Sequence, residues 1–214
     1  MEEAGKMATR EKTGGLIRIR RSRTRRILPA EVRVGDLMSA AATLFIAQGI
    51  EATTVNDIVE RAGVGKGTFY HYFETKEDVI VALRERFSRD FTDQVAQAVA
   101  SCPADDHRAR FAAWLRGTVQ AYIANYKLHD VVFHEFRPGN RNVKDKEIVL
   151  AQLGELLAAG AAAGAWKLSD TRAAAIVIFD GMHGMVDDAI AGEQRDAEQI
   201  CRRLSELFGR MLLI

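Results

Sequence analysis

The stretch "AGVGKGTFYHYFETKED", Ala62 to Asp78, decides how the rest of the chain is read. It sets Gly63, Gly65 and Gly67 close together, then interleaves Thr68, Tyr70 and His71 with Phe69, Tyr72 and Phe73. A glycine inside a helix costs roughly 1 kcal/mol relative to alanine, so the cluster needs a physical reason. Gly63 follows the helical segment "VNDIVERA" and can supply the left-handed residue that turns the chain. Thr54 can cap that segment, with Asp57 placed for a reciprocal contact. Two short helices joined by a glycine-containing turn, behind one longer helix, form a helix-turn-helix.

In that reading Ala62 allows a close helix crossing, Val64 plugs the turn, and Ile58, Phe69 and Phe73 close a small core. The last short helix, Lys66 to Tyr72, presents its N-terminal half to a major groove. Gly65 and Gly67 then let backbone N–H groups approach phosphates and base edges. Lys66 offers a charge to phosphate, and Thr68 can meet a base edge or a thymine methyl. Tyr70 and His71 reach the flanking backbone, and Lys76 is placed for another phosphate.

Working outward, a helix is expected from Pro29 to Gln48, with Val34, Leu37, Ala41, Leu44 and Phe45 on one face and Gly49 as its stop. Thr75 caps the helix after the recognition segment, with Glu77 and Asp78 in its first turn. Further helices are predicted near 77–100, 106–127, 128–137, 142–164, 170–191 and 196–212, broken at "SCPADD", "RPGN", "AGAWKLSD" and "AGEQRD". The 214 residues are 48% hydrophobic and 28% charged, with three prolines. Val and Ile recur at helical spacing rather than in alternation. The fold class is therefore all-α. We divide the chain into a basic N-terminal arm (1–27), a three-helix DNA-binding domain (28–76) and a larger helical domain (77–214).

The net charge of +1 hides an asymmetry. Arg18, Arg20, Arg21, Arg23, Arg25 and Arg26 crowd the N-terminal segment, which reads as a solvated arm or as an arm that touches a polyanion. Cys102 and Cys201 are far apart and lack metal-ligand spacing, as expected of reduced thiols. No apolar signal region follows the basic segment. The longest alanine-rich run, Leu156 to Trp166, is too short to span a bilayer. A soluble, cytoplasmic protein without a membrane partner is the expectation.

The segment Thr53 to Ile80, "TTVNDIVERAGVGKGTFYHYFETKEDVI", resembles the DNA-binding segment of the TetR family of bacterial transcriptional regulators, and the likeness covers about residues 33–85. A threonine before the second helix, the AGV turn, the KGT-aromatic-Tyr helix and the F-x-x-K-E lead into the fourth helix occur in order. The resemblance implies phosphate contact by Thr54, Tyr70 and Lys76, and groove contact by Lys66, Gly67, Thr68 and His71. Val59 stands where alanine is usual, and Gly65 where Ser or Thr often caps the recognition helix. The resemblance further implies double-stranded operator DNA as partner, a small-molecule effector bound by the later helices, and a homodimer formed by the last two. Repression released by the effector is the common mode in such a family.

The candidate effector wall is aromatic and methionine-rich: Phe111, Trp114, Tyr122, Tyr126, Phe133, Phe136, Phe179, Met182 and His183, with Leu115, Trp166 and Met185 nearby. Such residues are more often core than ligand wall, but as a group they point to a hydrophobic or amphiphilic effector. In "FDGMHGMVDD", Asp180, His183 and Asp187 fall on one helical face. With His134 from "VVFHEF" they form a candidate set for Zn, Ni or Fe, in which Glu135 or His129 can substitute for a member. A buried His183 paired with a carboxylate explains the same spacing. No cofactor is required. The alternatives are a metal-responsive regulator and a metal-dependent hydrolase. The chain lacks a nucleophile–base pair, a phosphate loop and a compact acid/base motif, so no enzyme is expected.

Overall fold

The computed structural model describes residues 30–135 and 143–212 of the chain. The basic arm and Phe136 lie outside these residues, and so do the side chains of His134 and Glu135. The described residues form α1 (Ala30–Gln48), α2 (Val55–Arg61), α3 (Lys66–Tyr72), α4 (Lys76–Ala100), α5 (His107–His129), α6 (Val143–Ala162), α7 (Thr171–Ala191) and α8 (Ala197–Leu212). Among them there is no strand. The helix expected over 128–137 is not separate. It continues α5 as a π-helical turn at Asp130–Glu135, because the α5 backbone passes into it at Asp130 without a break.

Local chemistry explains most of the element ends. Gly49 and Gly63 hold φ of +81° and +67°, and each donates its N–H back into the helix it ends, to Phe45 and Glu60. α2 begins on a reciprocal cap. The Asp57 N–H donates to Thr54 Oγ1 (3.2 Å), while the Thr54 N–H donates to Asp57 Oδ2 (2.8 Å). Thr75 and Asp78 repeat the device at α4, with distances of 3.2 and 2.8 Å. These bonds hold the Asp57 and Asp78 carboxyls below the ordinary carboxylate range. α3 starts on Gly65 without a side-chain cap.

The helices enclose two cores. The smaller gathers Leu37 and Phe45 of α1, Ile58 of α2, Phe69 of α3 and Val79, Ile80 and Leu83 of α4, all essentially inaccessible. Val131 and Val132 from the end of α5 complete it. The larger gathers Phe91, Val95 and Val99 of α4 with Trp114, Leu153, Leu157, Ile178 and Leu204 of the following helices. α4 joins the two, its first two turns belonging to the small core and its later turns to the large one. Elsewhere, small residues permit close contacts. A Cβ at Gly160 would lie 2.0 Å from the Trp166 ring, whose Nε1 donates to the Leu157 carbonyl at 2.7 Å. No helix of the described residues is long and apolar enough to cross a membrane.

Candidate functional site

The first site is the outer surface of α3. Phe69 points inward and is fully buried, while Lys66, Gly67, Tyr70 and His71 are exposed and Thr68 is half-buried. A seven-residue helix with one deeply buried side chain leaves its other faces to solvent. Tyr70 is 53% exposed although it stacks edge-on against Phe69 at 5.4 Å, so its ring is braced while its hydroxyl end stays outside. Nothing lies within 4 Å of a Cβ built at Gly67. The glycine is thus not demanded by packing inside the chain.

Two of the residues expected at DNA are already engaged in the chain itself. The Lys76 ammonium donates to the carbonyl oxygens of Ile50 (2.6 Å) and Thr53 (3.1 Å), which ties the α1–α2 loop to the start of α4. The reason is geometric: the long Lys76 side chain passes both carbonyls, and the Ile50 oxygen also accepts the Thr53 N–H at 3.2 Å. Thr54 is exposed, and its hydroxyl donates to Asp57 Oδ2 (2.8 Å) as part of the cap.

The second site is a cavity of about 220 Å³ where α4, α5, α6 and α7 meet. Phe87, Ser88 and Phe91 line it from α4, and Tyr122 and His129 from α5. Phe133 comes from the π-helical turn, Lys146 and Val149 from α6, and Phe179 and His183 from α7. The aromatic rings contact each other around it. Phe87 stands edge-on to Phe133 at 5.6 Å, Tyr122 lies 4.4 Å from His129, and Phe179 lies 4.5 Å from His183. The Tyr122 hydroxyl donates to Asp187 at 2.5 Å. Burial, and then this carboxylate, push the Tyr122 hydroxyl above the ordinary phenol range, so it stays a hydrogen-bond donor. Lys146 donates to both carboxylate oxygens of Asp180, at 2.6 and 2.9 Å. Its ammonium also stands 5.5 Å from the Phe179 ring centre.

The structure sorts the expected effector residues. Tyr122, Phe133, Phe179 and His183 line the cavity; Phe111, Trp114, Tyr126 and Met182 do not. Phe111 lies 18 residues before His129 on α5, about 27 Å away at 1.5 Å per residue. Phe111 and Trp114 instead stack on each other at 6.5 Å. Tyr126 lies under the Arg195 guanidinium at 4.7 Å, and Met182 is fully buried core.

The metal expectation is corrected for the residues described. No group of three or more His, Cys, Asp or Glu among them is placed to hold an ion. Asp180 and Asp187 share a face but stand two turns apart, about 10 Å along the helix axis. Each carboxylate is also engaged, Asp180 by Lys146 and Asp187 by Tyr122.

Residues 37–83 match the model of the bacterial regulatory proteins, tetR family. Over these residues the chain carries the tetR-family sequence pattern. The match begins at Leu37 and ends at Leu83, both members of the small core, whose other described buried members outside that span are Val131 and Val132. The HTH-type transcriptional repressor KstR2 of Rhodococcus jostii is 35% identical over 91 residues, 42% of this chain and 44% of that protein. The HTH-type transcriptional activator FasR of Mycolicibacterium smegmatis is 32% identical over 96 residues, 45% and 41% of the two chains. The chain thus matches these curated relatives over less than half of their length. In structure it is similar to the fatty acid degradation regulator FadR from Bacillus halodurans. The two are 26% identical with a TM-score of 0.69, over 82% of this chain and 93% of that one.

Beyond the TetR-family domain, sequence reasoning missed Phe87, Ser88, Phe91, Lys146 and Val149 as cavity lining, and took His129 only as a substitute metal ligand. Phe87, Ser88 and Phe91 carried a signal, the i, i+1, i+4 spacing of one buried face on a helix. Lys146 carried none, since "KDKE" reads as an ordinary solvated face.

Proposed function

We propose that the protein is a ligand-responsive, DNA-binding transcriptional regulator, a repressor released from its operator when a mainly apolar small molecule fills the cavity. One observation carries the coupling. Between His129 and Phe133, two side chains line the cavity while Val131 and Val132 are buried in the core that holds α3. A ligand that moves the His129 or Phe133 ring therefore moves two members of the DNA-binding core. α4 offers a parallel link, because the Arg84 guanidinium lies 4.6 Å from the Phe133 ring centre. The ligand acts only to the extent that it favours one arrangement over the other.

In this reading Lys66, Gly67, Thr68 and His71 meet the major groove, and Tyr70 meets the flanking phosphates. Thr54 contributes by capping α2 and Lys76 by holding the α1–α2 loop, and both meet the flanking phosphates. Two copies pair through α7 and α8, whose Val177 and Leu207 leave large apolar side chains more than half exposed. A homodimer spaces its recognition helices for successive grooves, about 34 Å apart. The reading requires no catalytic step and no metal, and it places the protein with DNA in the cytoplasm. The names of KstR2 as a repressor and FasR as an activator support regulation at a promoter, and the exposed polar face of α3 supports DNA as the partner.

A gel-shift titration of the purified full chain against the DNA upstream of its own coding region tests this. Retardation that survives excess unrelated DNA at modest salt is expected, and Lys66→Ala with Tyr70→Ala should abolish it. Retardation by unrelated DNA to the same degree sinks the reading.

A further inference from the structure

We propose that the cavity is built for a compact cyclic carboxylate, with its ring among the phenylalanines and its carboxylate on Lys146 in place of Asp180. This rests on the cavity's being the effector site.

Size comes first. A cavity of about 150 Å³ holds a benzene molecule. At about 220 Å³ this one has room for a six-membered ring and a short substituent. Shape agrees, because Phe87, Phe91, Phe133 and Phe179 surround the space from α4, the π-helical turn and α7. The stacked Phe87–Phe91 pair and the edge-on Phe87–Phe133 pair leave faces and edges to which a further ring can pack.

Charge gives the chemical class. Among the described residues lining the cavity, Lys146 is the one lysine or arginine. Its ammonium is bound by Asp180 in a pair whose side chains are 42% and 53% exposed. Such solvent-exposed pairs contribute little to stability, so Asp180 can be exchanged for another carboxylate and return to water at small cost. The incoming carboxylate accepts from the same ammonium while its ring buries apolar surface against the phenylalanines, a contribution that Asp180 cannot make. A cationic ligand would face Lys146, which already occupies the Phe179 ring. A neutral ligand would leave the Lys146–Asp180 pair unchanged and gain nothing from it.

The test is calorimetric titration of the full chain, without DNA, using benzoate, phenylacetate and cyclohexanecarboxylate, with phenylacetamide as the neutral match. At least one acid should bind, and phenylacetamide should bind roughly tenfold or more weakly than phenylacetate. Lys146→Met should erase the difference between acid and amide, Lys146→Arg should retain it, and Asp180→Asn should tighten acid binding. Equal affinity for acid and amide in the native chain overturns the proposal. So does a preference that survives Lys146→Met, or no binding of any of the acids. Operator release is read separately by gel shift. An acid that binds as described but leaves the operator complex intact overturns the proposed function and leaves the cavity chemistry standing. Release by a long-chain or neutral ligand alone does the reverse.

Discussion

The core around Phe69 carries its polar chemistry on the outside, on α3, whereas the core around Tyr122 keeps polar groups inside, on the walls of a cavity. The first is held by short-range devices, two reciprocal caps and two left-handed glycines within the span Gly49 to Asp78. The second is held by contacts between residues far apart in the chain, such as Tyr122 with Asp187 and Lys146 with Asp180. A surface reader needs a rigid shape that survives without its partner. A receptor needs space, and space requires helices that brace each other at a distance. Under the proposed function, the difference teaches how regulation is received in one part and expressed in the other. Among the described residues, α4 and the end of α5 with the π-helical turn that follows it contribute to both.

Removing Phe69 strikes the comparison hardest. Phe69→Ala should cost about 3–5 kcal/mol, typical of an aromatic truncated in a core. Chemical denaturation should show the loss, and operator retardation should vanish while acid binding in the cavity persists. If both activities fail together, the two cores do not unfold as separable units. On the other side, Gly160→Ala forces a methyl into the Trp166 ring and should cost about 1–3 kcal/mol by overpacking. Its thermal shift should appear without loss of groove contacts at a temperature where the protein is folded.

Caps and cavity wall also differ in the pH at which they give way. The Asp57 and Asp78 carboxyls are lowered from 3.8, so the stability they lend is present above that value and fades as pH falls below it. Thr75→Ala should cost about 1 kcal/mol at neutral pH and flatten the acid limb of the stability profile. Tyr122 is shifted the opposite way, upward from 10.0, so its contribution is complete below that pH and is lost as pH rises beyond it. Tyr122→Phe should cost about 1 kcal/mol and remove that alkaline loss; an alkaline limb identical to the parent's would contradict the role given to the Asp187 bond. The smallest effect is a gain. Gly65→Ser restores a cap to α3 and should stabilise by a few tenths of a kcal/mol. Operator affinity should fall if the bare backbone at Gly65 approaches phosphate, and unchanged affinity would remove that role.

The small domain was legible in the sequence because its rules are local. Thr54 with Asp57 and Thr75 with Asp78 are three residues apart, and Gly63 follows its helix directly. The sidedness of α3 can be read from the spacing of Phe69 and Phe73. The cavity was half legible. Tyr122, Phe133, Phe179 and His183 could be named as aromatic candidates, but so could Phe111 and Trp114, which meet the same description and lie at the other end of α5. Composition cannot separate them, because a ring against core and a ring against a void look alike in sequence. The metal candidates show a related limit: helical spacing gives the shared face of Asp180 and Asp187 and ignores the rise between them.

Sequence alone therefore determined the TetR-family reading head, since turns, caps and the face of a short helix depend on neighbours a few residues away. Tertiary structure decided the rest. It assigned Lys76 to two loop carbonyls more than twenty residues distant. It placed Lys146 at a cavity wall and set Val131 and Val132 between receptor and reader. Each of these depends on which turns of separate helices come to face one another, and packing between distant segments sets that.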